Sequence, residues 1–125
     1  MGKINAYFFD TYAFYEIISR NPNYKTYIKQ TGIITTKLNL MELHYGLILK
    51  HGKEHADEVY DWFLQFVVDI DDKIIKDANC FRVQFKKRNL SYVDCIGYVT
   101  AKSRGVKFLT GDKQFEDLEN VGYVK

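Results

Sequence analysis

Apolar positions along the chain form short unbroken runs that alternate with longer periodic stretches. Ile4 to Phe9 is a short, aromatic-rich run closed by Asp10, the pattern of a buried strand. Thr11 to Ser19 is apolar enough for a helix, and Asn21-Pro22-Asn23 breaks it. Gly32 to Thr36 predicts a second strand, β-branched at every position after the glycine. Lys37 to Lys50 predicts a long helix with Leu38, Met41, Tyr45, Ile48 and Leu49 as its apolar stripe. A further helix is expected over Lys53 to Phe66, a short strand at Val67-Val68, and another helix over 73–88 that ends in Lys86-Lys87-Arg88. Ser91 can cap a helix that carries Asp94 in its first turn, runs to Arg104 and stops at Gly105. Val106 to Thr110 reads as a strand, Asp112 to Leu118 as a short helix, and Gly122 to Lys125 as an edge strand. Strands alternating with helices, in continuous hydrophobic runs, predict an α/β fold with a mainly parallel central sheet. Periodicity leaves the strand order open.

Length and composition narrow this to a single domain over 1–125, with no repeat, low-complexity tract or Pro/Gly/Ser linker to divide it. Eighteen Lys and Arg against sixteen Asp and Glu give a net charge of +2, which excludes a histone-like binder but tolerates a nucleic-acid partner. A single Pro and 46% hydrophobic residues exclude a disordered chain, and ten Tyr, nine Phe and one Trp supply the bulk of a core. Cys80 and Cys95 are too few for a disulfide scaffold and read as small core residues in a reducing compartment. No stretch reaches the ~18 apolar residues of a membrane span, and the N-terminal run is too short for a signal peptide. A soluble, cytoplasmic protein is expected.

In a parallel α/β sheet, ligands gather along the carboxyl edge of the strands, and four acids fall there. Asp10 ends the first strand, Glu42 lies in the first turns of the helix after the second, Asp94 opens the helix from Ser91, and Asp112 follows the strand 106–110. Taken singly, Asp10 and Asp112 have a plain reading as helix caps, and Asp94 as the acidic half of a capping box with Ser91. Glu42 resists that reading, because Leu38, Tyr45 and Leu49 flank it at helical spacing. Asp94 raises the same question, since it is the only charge before Lys102 on an otherwise apolar helix. Gly97 and Ala101, three and seven residues after Asp94, would let that face approach the sheet closely. Four carboxylates at one place require a counter-cation, and hard oxygen ligands suit Mg²⁺ or Mn²⁺. Such an ion serves phosphodiester chemistry.

The segments around these acids carry a family resemblance that spans nearly the whole chain. AYFFDTYAF is similar to the opening strand of the PIN-domain nucleases, with Asp10 the first acid and Thr11 the hydroxyl after it. NLMELHYGL resembles the helix with the single Glu, here Glu42, and Gly46 four residues on. LSYVDCIGYVTAKSRG resembles the third motif, with Asp94 its acid, and FLTGDKQF the last, with Thr110, Asp112 and Phe115. The family's small VapC-type ribonuclease toxins are the nearest in pattern. The resemblance implies a three-layer PIN-like sandwich and Mg²⁺- or Mn²⁺-dependent cleavage of single-stranded RNA. On it, Asp10, Glu42, Asp94 and Asp112 are the catalytic and metal-binding residues, supported by Thr11 and Thr110. It also implies a homodimer and a cognate antitoxin protein. Tyr12 departs from the pattern, a small residue being commoner after the hydroxyl.

Lys113 beside Asp112 is a candidate to meet a scissile phosphate, and Lys86, Lys87 and Arg88 are candidates for an RNA path or a plain solvated helix end. His51 and His55 lack the zincin pattern and read as a solvated helix start, while His44 lies near Glu42 with no Cys partner in sequence reach. Tyr60, Trp62, Phe63 and Phe66 exceed what one helix face can bury, which predicts a dimer contact. Two alternatives come from other classes: a catalytically silent PIN-like RNA-binding module, and a receiver-like phosphoacceptor domain. The second fits poorly with a single Asp10 and a Glu inside a helix.

Overall fold

The computed structural model describes residues 6–125, so the expected strand residues Ile4 and Asn5 lie outside the described residues. Four parallel strands, β1 (Ala6–Phe9), β2 (Gly32–Ile34), β3 (Lys107–Thr110) and β4 (Val121–Tyr123), lie in the order β2-β1-β3-β4. Phe8 stands opposite Ile34 on one side and Phe108 on the other. The helices are α1 (Thr11–Ile18), α2 (Lys25–Gln30), α3 (Lys37–His51), α4 (Lys53–Phe63), α5 (Asp72–Gln84) and α6 (Tyr92–Ser103).

Side chains alternate across a strand, so neighbouring residues enter different layers. Phe8 and Phe108 face one core together with Ile74 and Ala78 of α5 and Ile96, Tyr98 and Ala101 of α6. Phe9 and Leu109 face a second core with Ala13 and Phe14 of α1, Leu40, Leu43 and Leu47 of α3, and Phe63 of α4. Helices therefore cover both faces of the sheet, in the three layers expected. Gly97 lets α6 approach the sheet closely: a Cβ there would lie 2.9 Å from Phe8 Cε1 and 3.1 Å from Phe108 Cε1. Gly105 ends the following turn at φ 70°, a conformation that favours glycine.

Several local expectations are corrected. The stripe Met41, Tyr45, Ile48 and Leu49 faces solvent, and α3 instead buries Asn39, Leu40, Leu43 and Leu47. This helix carries two apolar stripes, and the docking of α1 and α4 chooses the second. α5 stops at Gln84 with Phe85 as its C-cap, so Lys86-Lys87-Arg88 lies in a turn beyond the helix. Cys80 is exposed on α5, whereas Cys95 is buried. The expected helix 53–66 ends as a 3-10 turn over Leu64–Phe66, and Val67 makes one parallel bridge with Thr35 in place of a strand. The short helix after Asp112 is a single 3-10 turn, Lys113–Phe115. The segment after the Asn21-Pro22 break, which carries no strong periodicity, folds as a 3-10 turn over Pro22–Tyr24 and then α2. His51 and His55 fall on either side of Gly52, which separates α3 from α4, and both are exposed.

Candidate active site

Topology brings the four acids to one edge. β1 and β3 are neighbours, so Asp10 and Asp112 follow adjacent carboxyl ends. α3 leaves the end of β2 through Thr35 and Thr36, and Glu42 lies in its second turn. α6 precedes β3 and returns along the sheet in the opposite sense, which puts its first turn, with Asp94, at the same edge.

Each Asp also has its capping role. Asp10 accepts the backbone N–H of Ala13 at 2.8 Å, Asp94 and Ser91 form a reciprocal capping box with both bonds at 3.0 Å, and Asp112 accepts the N–H of Gln114 at 3.0 Å. Capping does not remove the electrostatic strain. Burial pushes the Asp10 carboxyl up to about 8; the Thr110 hydroxyl and the Ala13 N–H oppose the rise, and the charges of Asp94 and Asp112 add to it. Burial also raises Asp94, against its bonds to Ser91 and reinforced by the charge of Asp112. Glu42 is raised by burial, against its bond to Thr11, and further by the charge of Asp94. Each acid is thus coupled by repulsion to at least one other, and no Lys or Arg among the described residues pairs with any of the four.

Glu42 is held by a partly buried relay that motif reading did not single out. The Thr36 hydroxyl donates to Asn39 Oδ1 at 2.7 Å, Asn39 Nδ2 donates to Thr11 Oγ1 at 3.2 Å, and Thr11 donates to Glu42 Oε1 at 2.7 Å. Asn39 is 1% exposed, so its amide has no recourse to water and fixes which way the Thr11 hydroxyl points. The available signal was a polar residue in register with Leu43 on one helix face. On the β3 side, the Thr110 hydroxyl accepts the N–H of Asp112 at 3.0 Å. Gly111 between them leaves room for the Tyr12 ring, since a Cβ there would lie 2.2 Å from Tyr12 Cε1.

The donor set fits a hard divalent cation: carboxylate oxygens only, mutually repelling, partly buried and without a basic partner. As the side chains stand, no group of three or more His, Cys, Asp or Glu among the described residues is arranged to cage an ion. Of the basic candidates, Lys113, Lys86 and Lys87 are exposed. Arg88 has another partner: it pairs with both carboxylate oxygens of Asp117, at 2.7 and 2.8 Å, and donates to the Gln114 carbonyl at 2.6 Å. His44 turns to Asp57 at 2.7 Å rather than to Glu42.

A PIN-domain family model matches residues 7–121. The chain therefore belongs to the PIN-domain family, the nuclease family that its four acidic segments resemble. Among solved structures it is similar to a toxin–antitoxin complex from Klebsiella pneumoniae, with TM-score 0.75, 19% identity and coverage of 94% of this chain and 96% of that one. It is also similar to Mycobacterium tuberculosis VapC20, a sarcin-ricin loop cleaving toxin, with TM-score 0.75, 17% identity and coverage of 93% and 97%. The DNA-bound VapBC complex from Salmonella typhimurium gives TM-score 0.73 at 19% identity, covering 97% and 98%. No curated protein matches the chain.

Proposed function

We propose that this protein is a metal-dependent endoribonuclease that cleaves single-stranded RNA, and that it is the toxin of a toxin–antitoxin pair. The observation that carries the reading is the repulsively coupled carboxylate set, without a basic partner, on the carboxyl edge of the sheet. Asp10, Glu42, Asp94 and Asp112 would hold Mg²⁺ or Mn²⁺. When bound, such an ion supplies positive charge against phosphoryl oxygens and acidifies water. Thr11 orients Glu42, Thr110 tethers the backbone ahead of Asp112, and Lys113 stands exposed beside it to meet a phosphate.

Neighbours solved as toxin–antitoxin and VapBC complexes support an antitoxin partner. The solvent-facing Met41, Tyr45 and Leu49 on α3, with Trp62 on α4, support a homodimer. No helix among the described residues is long and apolar enough to cross a membrane; the proposed RNA substrate supports a cytoplasmic location.

The test is incubation of the purified chain with single-stranded and duplex RNA in Mg²⁺, Mn²⁺ or EDTA. Cleavage of single strands with either metal, abolished by EDTA and by Asp94→Asn, is expected. Cleavage that persists in EDTA overturns the reading. RNA binding without cleavage in either metal returns the chain to a silent binding module.

A further inference from the structure

Outside the four acids, one feature of the surface combines an ordered π-face with free positive charge. Arg82 on α5 lays its guanidinium over the ring of Tyr92, the first residue of α6, with Cζ 4.1 Å from the ring centroid. Its Nε donates to the Leu90 carbonyl at 3.2 Å, which anchors the stack from behind. Tyr92 nevertheless stays 59% exposed, so the ring is held by one face and open on the other. The pair borders a surface cleft of about 240 Å³ that Asn79, Val83 and Lys86 complete. A second hollow of about 190 Å³ adjoins it through Arg82 and Lys86. No carboxylate lines either hollow. The positive charge available there comes from Arg82 and the exposed Lys86, with Lys87 next to it, because Arg88 is committed to Asp117.

We infer that the Arg82–Tyr92 stack is a base-binding subsite for the RNA strand, with Lys86 meeting the adjoining phosphate. The inference rests on the nuclease reading above and adds to it where the substrate lies. An aromatic face beside cations, without acids, matches a polyanion with flat bases better than a protein surface. The stack lies near the candidate active site: Tyr92 and Asp94 share the first turn of α6, about 3 Å of helix rise apart but on different sides of the helix, so the strand would bend around that helix end. A strand crossing the end of α6 would pass from the acids to the stack. Only an unpaired base can lie on Tyr92, so the subsite selects single strands.

Fluorescence anisotropy in EDTA with a labelled twelve-nucleotide oligouridine, and with the same backbone lacking bases, tests this. Tyr92→Ala is expected to weaken oligouridine binding about 5-fold or more, as loss of one stacked base should. Tyr92→Trp should bind as the parent does, and the abasic strand should not distinguish the three proteins. Lys86→Ala should lower the slope of log Kd against log salt by about one. With Mn²⁺, Tyr92→Ala should raise KM and leave kcat near the parent value. If the parent cleaves RNA but Tyr92→Ala leaves both Kd and KM unchanged, the subsite is wrong and the nuclease reading stands. An equal loss on the abasic strand also overturns it, because stacking is then not the cause. A parent protein that neither binds nor cleaves RNA overturns both.

Discussion

Replacing Asp10 by Asn isolates the cost of confining charge at the carboxyl edge. The substitution keeps the cap, because an Asn oxygen can accept the Ala13 N–H as the carboxylate does. It removes an ionisation that burial has displaced from 3.8 to about 8. Below the lower value both folded and unfolded chains carry the proton, and the group contributes nothing to the pH dependence. Between the two values the folded chain keeps the proton and the unfolded chain has released it. Stability therefore falls as pH rises, by about 1.4 kcal/mol per unit, and levels off above the folded value. At pH 7 the cost is about 4 kcal/mol, which in a domain of this size corresponds to a melting shift on the order of 10 °C. Chemical denaturation of both proteins in EDTA at pH 5, 6 and 7 reads the difference. The variant should be the more stable, by a margin that widens with pH. Mn²⁺ should stabilise the parent and reduce that margin, because a cation bound only by the folded state offsets the repulsion. Parallel pH profiles, or a variant less stable throughout, would refute the reasoning.

Three further outcomes follow from the packing. Asn39→Ala leaves the Thr11 and Thr36 hydroxyls short of a buried partner, so a loss of about 1–3 kcal/mol is expected. Cleavage assays under conditions where both proteins are folded should show kcat falling with KM held, and an unchanged kcat would remove Asn39 as a positioning residue for Glu42. Gly97→Ala drives a methyl against Phe8 and Phe108 and should cost about 1–3 kcal/mol by denaturation, with Mn²⁺-dependent activity retained by the folded fraction. Leu49→Glu, at a 70% exposed position, should leave thermal unfolding of the monomer intact and shift the light-scattering mass from dimer to monomer. A parent protein that is already monomeric at tens of micromolar contradicts the homodimer.

Local chemistry alone determined the main helices, the four strands of the sheet and the order of the acids, while the strand expected at Val67-Val68 is a single bridge. Ser91 and Asp94 announce a capping box through hydrogen bonds made within one turn, and the structure contains both. Gly105 stops α6 because a positive φ is a property of that residue. What depends on contacts between distant residues was not legible. Hydrophobic periodicity identified a helix over α3 but not which of its two apolar stripes is buried, since that is settled by α1 and α4 packing on Leu40, Leu43 and Leu47. The strand order follows from β1 pairing with both β2 and β3 across long stretches of chain. Asn39 looks like an ordinary polar helix residue until the fold brings Thr11, 28 residues away, against its amide. The electrostatic state of Asp10 likewise arises only when the sheet excludes water and sets Asp94 and Asp112 near it, because desolvation and repulsion belong to the assembled edge and not to any segment.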